Sequence, residues 1–316
     1  MKKLEKLLAV VLITIAAISC GNKEKILTVG YLQITQDPVL DIAKEGVFTA
    51  LRDSGYTDGQ NFRLIEKNAQ GDLSMIPMIL QSFISSGVDV IITCGTPCMI
   101  AAAQIVKDIP VVFTVSFEPD AMGLKKVPEN LYGIYDPLNE VQYVNLMFEL
   151  IPNLKRVGIP FNNAEPNAEF SAGKFTAEFS KRGVEVVKTS VVSSNDILMA
   201  GQYLAGEDVD AILVTADNTM YLGINVMAKV ASDAKIPLFV SDPMHTRKGA
   251  AVGFGVNYWQ WGYMSGLKAV RLLKGMLAGE KIEPIDKLEL VINKDASEKQ
   301  GLPLPDSIIK RADIIL

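Results

Sequence analysis

The residues best suited to chemistry in this chain are polar side chains that directly follow short apolar runs. Thr96 and Pro97 follow one such run and open a helical pattern, and Asp217 and Asn218 follow another in the same way. Backbone amides at a helix start, together with the Thr96 hydroxyl, suit a carboxylate. Asp217 suits an ammonium group, to which Asn218 can add a hydrogen bond. Each of these residues could also serve only to cap its helix.

The same argument selects eight further candidates, each beside the end of an apolar run or the start of a helical pattern. These candidates for ligand contact are Gln33, Asp37, Ser116, Glu118, Glu165, Asn167, Ser241 and Asp242. Helix capping and surface turns are the alternative roles for them. Four aromatic residues near these turns could stack on an apolar ligand group or pack in the core: Tyr31, Phe117, Tyr135 and Phe161.

The common forms of enzyme chemistry are not indicated. The single histidine, His245, is interpreted as an exposed loop residue, and there is neither a Gly-x-Ser-x-Gly elbow nor a phosphate-binding loop. Cys94 and Cys98 are interpreted as small buried thiols, with a disulfide or metal chemistry as the alternatives. A zinc site would lack ligands. The prediction is therefore a binding protein without a cofactor.

The N-terminus has the layout of an export signal. The segment 2–6 (Lys-Lys-Leu-Glu-Lys), which is mostly charged, precedes the apolar run 7–18, which is too short to span a bilayer comfortably, and Cys20 follows. Residues 17–20, Ala-Ile-Ser-Cys, resemble a bacterial lipobox, which implies a signal peptide at 1–19 and a lipidated tether at 20–26. An uncleaved membrane anchor is the alternative. In either case the body is expected outside the cytoplasm, held to the membrane by its N-terminus.

Short β-branched runs alternate with helical patterns along the whole chain, which is typical of parallel α/β construction. Three strand patterns in the first half recur in the same order in the second half, at a spacing of roughly 125 residues. Removal of the signal leaves roughly 300 residues, more than one core supports. The predicted fold is two similar doubly wound parallel-sheet lobes joined by a multi-strand hinge.

The predicted N-terminal lobe comprises 27–134 and 257–285, and the predicted C-terminal lobe comprises 135–256 and 286–316. Chain crossings are expected near 133–137, at the glycine-rich stretch 253–257, and between 282 and 293. One helix is expected over 219–234. A long helix is expected over 258–278, with small residues at Gly262, Ser265, Gly266 and Ala269 that would let it pack closely on the first lobe.

Several of these segments together resemble ABC-transporter substrate-binding proteins of the tryptophan/tyrosine-binding type, which have the type I periplasmic-binding fold. The resemblance covers essentially the whole mature chain, and its most specific segments are 30–33 (Gly-Tyr-Leu-Gln), 68–72 (Asn-Ala-Gln-Gly-Asp), 95–97 (Gly-Thr-Pro), 216–219 (Ala-Asp-Asn-Thr) and 248–250 (Lys-Gly-Ala). The chain departs from the family pattern at Asp37, where members commonly have His, at 117–119, where they have Thr-Asp-Pro, and at Ala168, where they have Ser.

The resemblance implies capture of a small solute, with an aromatic amino acid as the expected ligand, and its delivery to a separate permease and ATPase by closure of the two lobes. A sugar or nucleoside is the alternative ligand, and a surface sensor subunit or enzyme is the alternative from another class. The formal charge of −5 and the lack of a basic patch give no indication of a nucleic-acid partner. A transcriptional regulator of the same fold would need a helix-turn-helix where the export signal stands.

Overall fold

The computed structural model describes residues 26–276 and 279–316. The predicted signal peptide, Cys20 and the tether up to residue 25 lie outside the described residues. Within the part of the chain that the structure describes, no helix combines the length and the apolar character needed to cross a membrane.

The first lobe is built on a six-stranded parallel sheet with the order β11-β5-β4-β3-β1-β2. Its strands are β1 (Leu27–Gln33), β2 (Phe62–Asn68), β3 (Val90–Cys94), β4 (Val111–Thr114), β5 (Leu131–Tyr135) and β11 (Ile282–Pro284). Its helices are α1 (Pro38–Asp53), α2 (Met75–Ser85), α3 (Thr96–Ile105) and α9 (Tyr258–Leu273).

The second lobe is built on a seven-stranded sheet with the order β13-β12-β10-β9-β8-β6-β7. Its strands are β6 (Arg156–Phe161), β7 (Glu185–Ser190), β8 (Ala211–Val214), β9 (Leu238–Val240), β10 (Val252–Val256), β12 (Leu288–Ile292) and β13 (Ile314–Ile315). Its helices are α4 (Glu140–Leu150), α5 (Pro166–Lys181), α6 (Ile197–Gly206), α7 (Asn218–Leu222), α8 (Ile224–Ala234), α10 (Lys294–Lys299) and α11 (Asp306–Arg311).

The two sheets repeat one strand order, which confirms the predicted fold class. β2-β1-β3-β4-β5 in the first lobe corresponds to β7-β6-β8-β9-β10 in the second, and only β12 runs antiparallel to its neighbour β10. The chain passes between the sheets after β5, after β10 and after β11. Ile134, Val256, Trp261 and Ile285 form a small apolar cluster where these passages meet. Three adjacent passages with their own core favour a hinge over a flexible linker.

Each sheet is covered on both faces, so its central strands are almost wholly buried. In β1, Gly30 lies against Phe83 of α2, whereas Tyr31 contacts Phe48 of α1, because successive residues of a strand point to opposite faces. In the second lobe, one apolar cluster surrounds Phe175 of α5 and another surrounds Leu204 of α6.

The long helix α9 packs on α1 at close range, as the small residues in its sequence predict. A Cβ atom added to Gly262 would lie 1.8 Å from the Ala43 carbonyl oxygen, and one added to Gly46 would lie 2.2 Å from the Trp259 carbonyl oxygen. The helix ends at Leu273 and not at 278, since Gly275 adopts a left-handed φ of 66° and ends the last turn. Residues 277 and 278 lie outside the described residues.

Two other expectations differ from the structure. The helix expected over 219–234 is divided at Gly223, whose missing side chain leaves room for Ile197. The stretch 253–257 belongs mostly to strand β10, so the passage to α9 occurs at Asn257. The interpretation of Cys94 and Cys98 as small buried thiols is confirmed, since both are buried and free. Burial raises the pKa of Cys94 to about 12, which makes it unreactive.

Candidate functional site

A cavity lies between the lobes where the carboxyl ends of both sheets face each other. The atom-free space between its walls, including the part that opens to solvent, is about 570 Å³. Its lining comes from the first lobe (Thr35, Asp37, Val39, Leu40, Thr96, Val115, Ser116, Phe117), the passages (Asp136, Tyr258, Trp261) and the second lobe (Asn167, Ala216, Asp217, Asn218, Tyr221, Asp242, His245).

The first-lobe wall presents hydrogen-bond donors. Thr96 is the first residue of α3, and Gly95 before it has a φ of 108°, which brings the chain sharply into the helix. Ser116 Oγ lies 3.2 Å from Thr96 Oγ1, so the two hydroxyls form one buried pair. Val115 holds Ser116 in place with a left-handed φ of 51°, a strained conformation for a β-branched residue. Hydroxyls beside a helix start suit a ligand carboxylate.

In the second lobe, Asp217 is bonded mainly to its own backbone surroundings. One carboxylate oxygen accepts from Met220 N at 2.8 Å and caps α7, and the other accepts from Asn162 N at 2.6 Å. The residue is 1% exposed. Burial and the nearby Glu165 carboxylate raise the pKa of Asp217 to about 7, although the backbone amides oppose this shift. Both oxygens therefore have partners before any ligand arrives.

Glu165 faces the protein and not the cavity. Its Oε1 accepts from Thr219 N at 3.0 Å and from Thr219 Oγ1 at 2.6 Å. Its Oε2 accepts from Asn218 N at 3.1 Å, from Asn218 Nδ2 at 2.6 Å and from Asn167 Nδ2 at 3.3 Å. The carboxylate thus ties the start of α5 to the start of α7 and orients two amides that line the cavity.

A cluster of four charged groups joins the lobes across the cavity. Asp37, the N-cap of α1, lies 2.8 Å from Lys248 Nζ and 3.5 Å from His245 Nε2. His245 Nδ1 lies 2.8 Å from Asp242 Oδ2, and the imidazole stacks on Tyr221 with ring centroids 4.1 Å apart. His245 and Lys248 belong to the second lobe, so the contacts of Asp37 hold the lobes together.

The charges of this cluster stabilise one another. Burial alone lowers the pKa of His245, but the Asp242 and Asp37 carboxylates outweigh burial and raise it to about 8. Burial likewise opposes ionisation of Asp37, yet His245 and Lys248 hold the pKa of that carboxyl well below its usual range. Asp37 and His245 therefore each favour the charged form of the other.

The apolar part of the cavity comes from the passages and the first lobe. Tyr258 and Trp261 lie on the first turn of α9 with ring centroids 5.6 Å apart, and Trp261 Nε1 donates to Ile134 O at 2.7 Å. Phe117 lines the same space and contacts Phe170. Asp136 accepts from Leu138 N at 2.8 Å, and burial raises the pKa of its carboxyl to about 6.

The structure places seven of the twelve predicted ligand contacts on the cavity wall: Asp37, Thr96, Ser116, Asn167, Asp217, Asn218 and Asp242. Their contact with a ligand stays a prediction. Five others do not line it, each for a local reason. Gln33 donates to Thr35 O and to Asp41. Pro97 is buried in α3, and Glu118 is exposed to solvent. Glu165 faces α7, and Ser241 Oγ lies beside the Tyr221 hydroxyl.

The expectation of an exposed His245 is wrong: its side chain is 2% exposed, because neighbouring carboxylates compensate its charge. Of the four proposed stacking residues, only Phe117 lines the cavity. Sequence reasoning also missed Tyr221, Asp136 and Trp261. Asp136 and Trp261 lie beside the predicted crossings. Because a cleft between two lobes is bordered by the segments that join them, the predicted crossings could have identified these two residues.

Residues 28–315 match the family described as ABC transporter substrate binding protein. A tyrosine-binding protein of Clostridioides difficile (strain R20291) is 31% identical over 280 residues, which cover 87% of this chain and 80% of that protein.

Two solved structures are similar over 92% of this chain. One is an ABC domain in complex with L-Trp from Streptococcus pneumonia. It is 27% identical, the match covers 100% of its chain, and the TM-score is 0.86. The other is the ligand-free, open structure of a substrate-binding protein with adhesive properties from Clostridium difficile, 28% identical and 99% covered, with a TM-score of 0.69. The fold, the cavity between lobes and the match over nearly the whole described chain agree: this chain belongs to the ABC transporter substrate-binding proteins, an extracytoplasmic family that binds solutes.

Proposed function

We propose that this chain is a solute-binding lipoprotein of an ABC importer that captures an aromatic amino acid, such as tyrosine or tryptophan, between its lobes. The observation that carries the proposal is the cavity between the lobes, whose polar and aromatic lining comes from both lobes and from the hinge. A ligand held by both lobes favours the closed arrangement by its differential affinity for that state.

The lining is chemically suited to such a ligand. The Thr96 hydroxyl accepts from Ser116 Oγ and can donate its own hydrogen to a carboxylate, and the side-chain oxygens of Asn167 and Asn218 can accept from an ammonium group. Phe117, Tyr258 and Trp261 supply aromatic surface for the side chain. Burial of that side chain would supply much of the affinity, and the polar contacts would select amino acids.

The similar proteins support both the ligand class and the closed state. One relative is named for tyrosine binding and one similar structure contains L-Trp. At nearly equal identity and coverage, this chain superposes better on the L-Trp complex than on the open, ligand-free structure. Rotation of the lobes about the three passages would produce such a difference.

The proposal includes attachment to the membrane through a lipidated Cys20 and delivery of the ligand to a permease and its ATPase. It rests on the N-terminal sequence and on the family. Retention of the full chain in the membrane fraction, with release of a Cys20→Ser variant, would test the anchor.

A thermal-shift screen of residues 22–316 against amino acids, sugars and nucleosides tests the ligand class. A ligand present at a hundredfold over its Kd adds about 2.7 kcal/mol to the stability of the folded state. We expect L-tyrosine or L-tryptophan to raise the Tm. A Tm that only a sugar or nucleoside raises would favour the alternative ligand class.

A further inference from the structure

Asn167 places a hydrogen-bond acceptor without a partner at the cavity. The residue is 6% exposed and lines the cavity, and its Nδ2 donates to Ala216 O at 2.9 Å and to Glu165 Oε2 at 3.3 Å. Its Oδ1 is buried and has no hydrogen-bond partner within the described residues. Because a buried acceptor without a partner is costly, this atom points to a donor that enters the cavity from outside the chain.

The orientation of this amide follows from the chemistry of its neighbours. A carboxylate and a backbone carbonyl can only accept hydrogen bonds, so the Nδ2 group must face Glu165 and Ala216. The oxygen must then point away from both. The same rule applies to Asn218, whose Nδ2 lies 2.6 Å from Glu165 Oε2.

Glu165 is therefore the group that turns both amides. It is 6% exposed and does not line the cavity, and its two oxygens accept five hydrogen bonds from Asn167, Asn218 and Thr219. Its effect on the cavity is indirect, because it accepts hydrogen bonds from the side-chain nitrogens of Asn167 and Asn218 and leaves their side-chain oxygens available to a ligand.

The alternative receiver for a positively charged group on this wall is Asp217, whose oxygens, unlike Asn167 Oδ1, already have hydrogen-bond partners. Asp217 has both carboxylate oxygens bonded to the backbone amides of Met220 and Asn162. The opposite wall offers the Thr96 hydroxyl, which accepts from Ser116 Oγ and can donate its own hydrogen. The first-lobe wall therefore offers a hydrogen-bond donor, and the second-lobe wall offers acceptors. A zwitterion that bridges the two walls would turn its ammonium group toward the second lobe.

We propose that Asn167 Oδ1 receives an N–H of the ligand's ammonium group and that Glu165 is the positioning residue that keeps this oxygen turned toward the cavity. The inference rests on the proposed function, since it concerns the same cavity and an amino acid ligand. It assigns to Glu165 a role in specificity without direct ligand contact.

Isothermal titration calorimetry with paired ligands tests the inference. The probes are L-tyrosine and L-tryptophan, each compared with its analogue without the amino group, 3-(4-hydroxyphenyl)propanoate or 3-(indol-3-yl)propanoate. In Asn167→Ala we expect amino acid affinity to fall roughly ten- to a hundredfold, because a hydrogen bond to a charged group is lost. The affinity of the analogue should stay within about threefold, since it makes no such bond.

Glu165→Gln should act in the same direction. The new side-chain amide can donate to an amide oxygen, so Asn167 is free to turn its nitrogen toward the cavity. Glu178→Gln is the matched control: Glu178 lies on the same helix α5, is equally 6% exposed, and pairs with Lys181 and Arg182 away from the cavity. We expect the control to bind both ligands as the wild type does.

The outcomes separate the two proposals. Equal loss of affinity for the amino acid and its analogue in both variants would show a structural role only and overturn the inference, while leaving the proposed function intact. Wild-type protein that binds neither amino acid would overturn the proposed function together with the inference. If Asn167→Ala does not fold, Asn167→Ser serves instead, because its hydroxyl can still donate to Ala216 O while the amide oxygen is removed.

Discussion

Among single side chains, His245 shows how a buried charge is maintained in this protein. Removal of an ion from water is expensive unless partners compensate it. Here Asp242 and Asp37 lie beside the two ring nitrogens, and Tyr221 stacks on the ring. The histidine contributes to the structure through these partners, of which Asp242 is local and Asp37 comes from the other lobe.

We predict that His245 makes stability depend on pH. Its pKa is raised to about 8 in the folded chain, so the protonated ring stabilises the folded state fully below the unperturbed pKa of about 6.5. This contribution, of the order of 2 kcal/mol, is lost as the pH rises through about 8. Urea unfolding of the ligand-free protein from pH 6 to 9 would measure it.

The comparison with His245→Gln isolates the contribution of the ring. Asp217, with a pKa raised to about 7, titrates in the same window, and both proteins retain it. The free energy of unfolding should fall more steeply with pH in the wild type than in the variant. Parallel pH profiles would contradict a charged His245.

Among the elements, the contact between helices α1 and α9 sets the position of part of the site. The chain returns from the second lobe at the start of α9, and this helix packs against the first lobe. Glycines on both helices allow the backbones to approach, and Gly266 would place a Cβ atom 2.7 Å from the Val47 carbonyl oxygen. The same helix carries Tyr258 and Trp261 into the cavity wall. The helix contact therefore sets the position of part of the site.

We predict that Gly262→Ala destabilises the protein. The new methyl group would lie 1.8 Å from the Ala43 carbonyl oxygen, so the helices must separate. Overpacking of this kind costs about 1–3 kcal/mol. Chemical denaturation measures the loss.

Gly173→Ala in α5 is the control, since nothing lies within 4 Å of the added atom, and the better helix propensity should raise stability by up to about 1 kcal/mol. A neutral Gly262→Ala would contradict the close packing.

At the scale of the whole molecule, the two lobes are held in a closed arrangement by contacts across the cavity. Lys248 of the second lobe lies 2.8 Å from the Asp37 carboxylate of the first, and its side chain is 29% exposed. Such a pair exists only when the lobes are together. It can therefore bias the balance between open and closed states, which the ligand then shifts further.

We predict that Lys248→Met opens the ligand-free protein and weakens L-tyrosine or L-tryptophan binding roughly tenfold, because part of the closing free energy is lost. Small-angle scattering should show a larger radius of gyration, and calorimetry the weaker binding. Lys229→Met is the matched control, since Lys229 pairs with Asp233 within α8 on the surface, where ion pairs contribute little. Equal effects of the two substitutions would argue against a contact that closes the lobes.

The sequence by itself determined the two-lobe α/β fold, because alternation of apolar strands and helical patterns is local and is repeated in the same order. It also indicated that polar residues after strands such as β3 and β8 lie at a common edge, which placed Thr96 and Asn218 at the cavity.

Only the tertiary structure decided which of these polar groups face the cavity. Glu165 and Asn167 are two residues apart, yet one turns to the backbone of α7 and the other lines the cavity. Asp37 meets Lys248, 211 positions away. The physical reason is that the backbone amides at helix starts and the ligand compete for the same polar side chains. Which partner a side chain bonds depends on its direction, and that direction is fixed only when distant segments pack together.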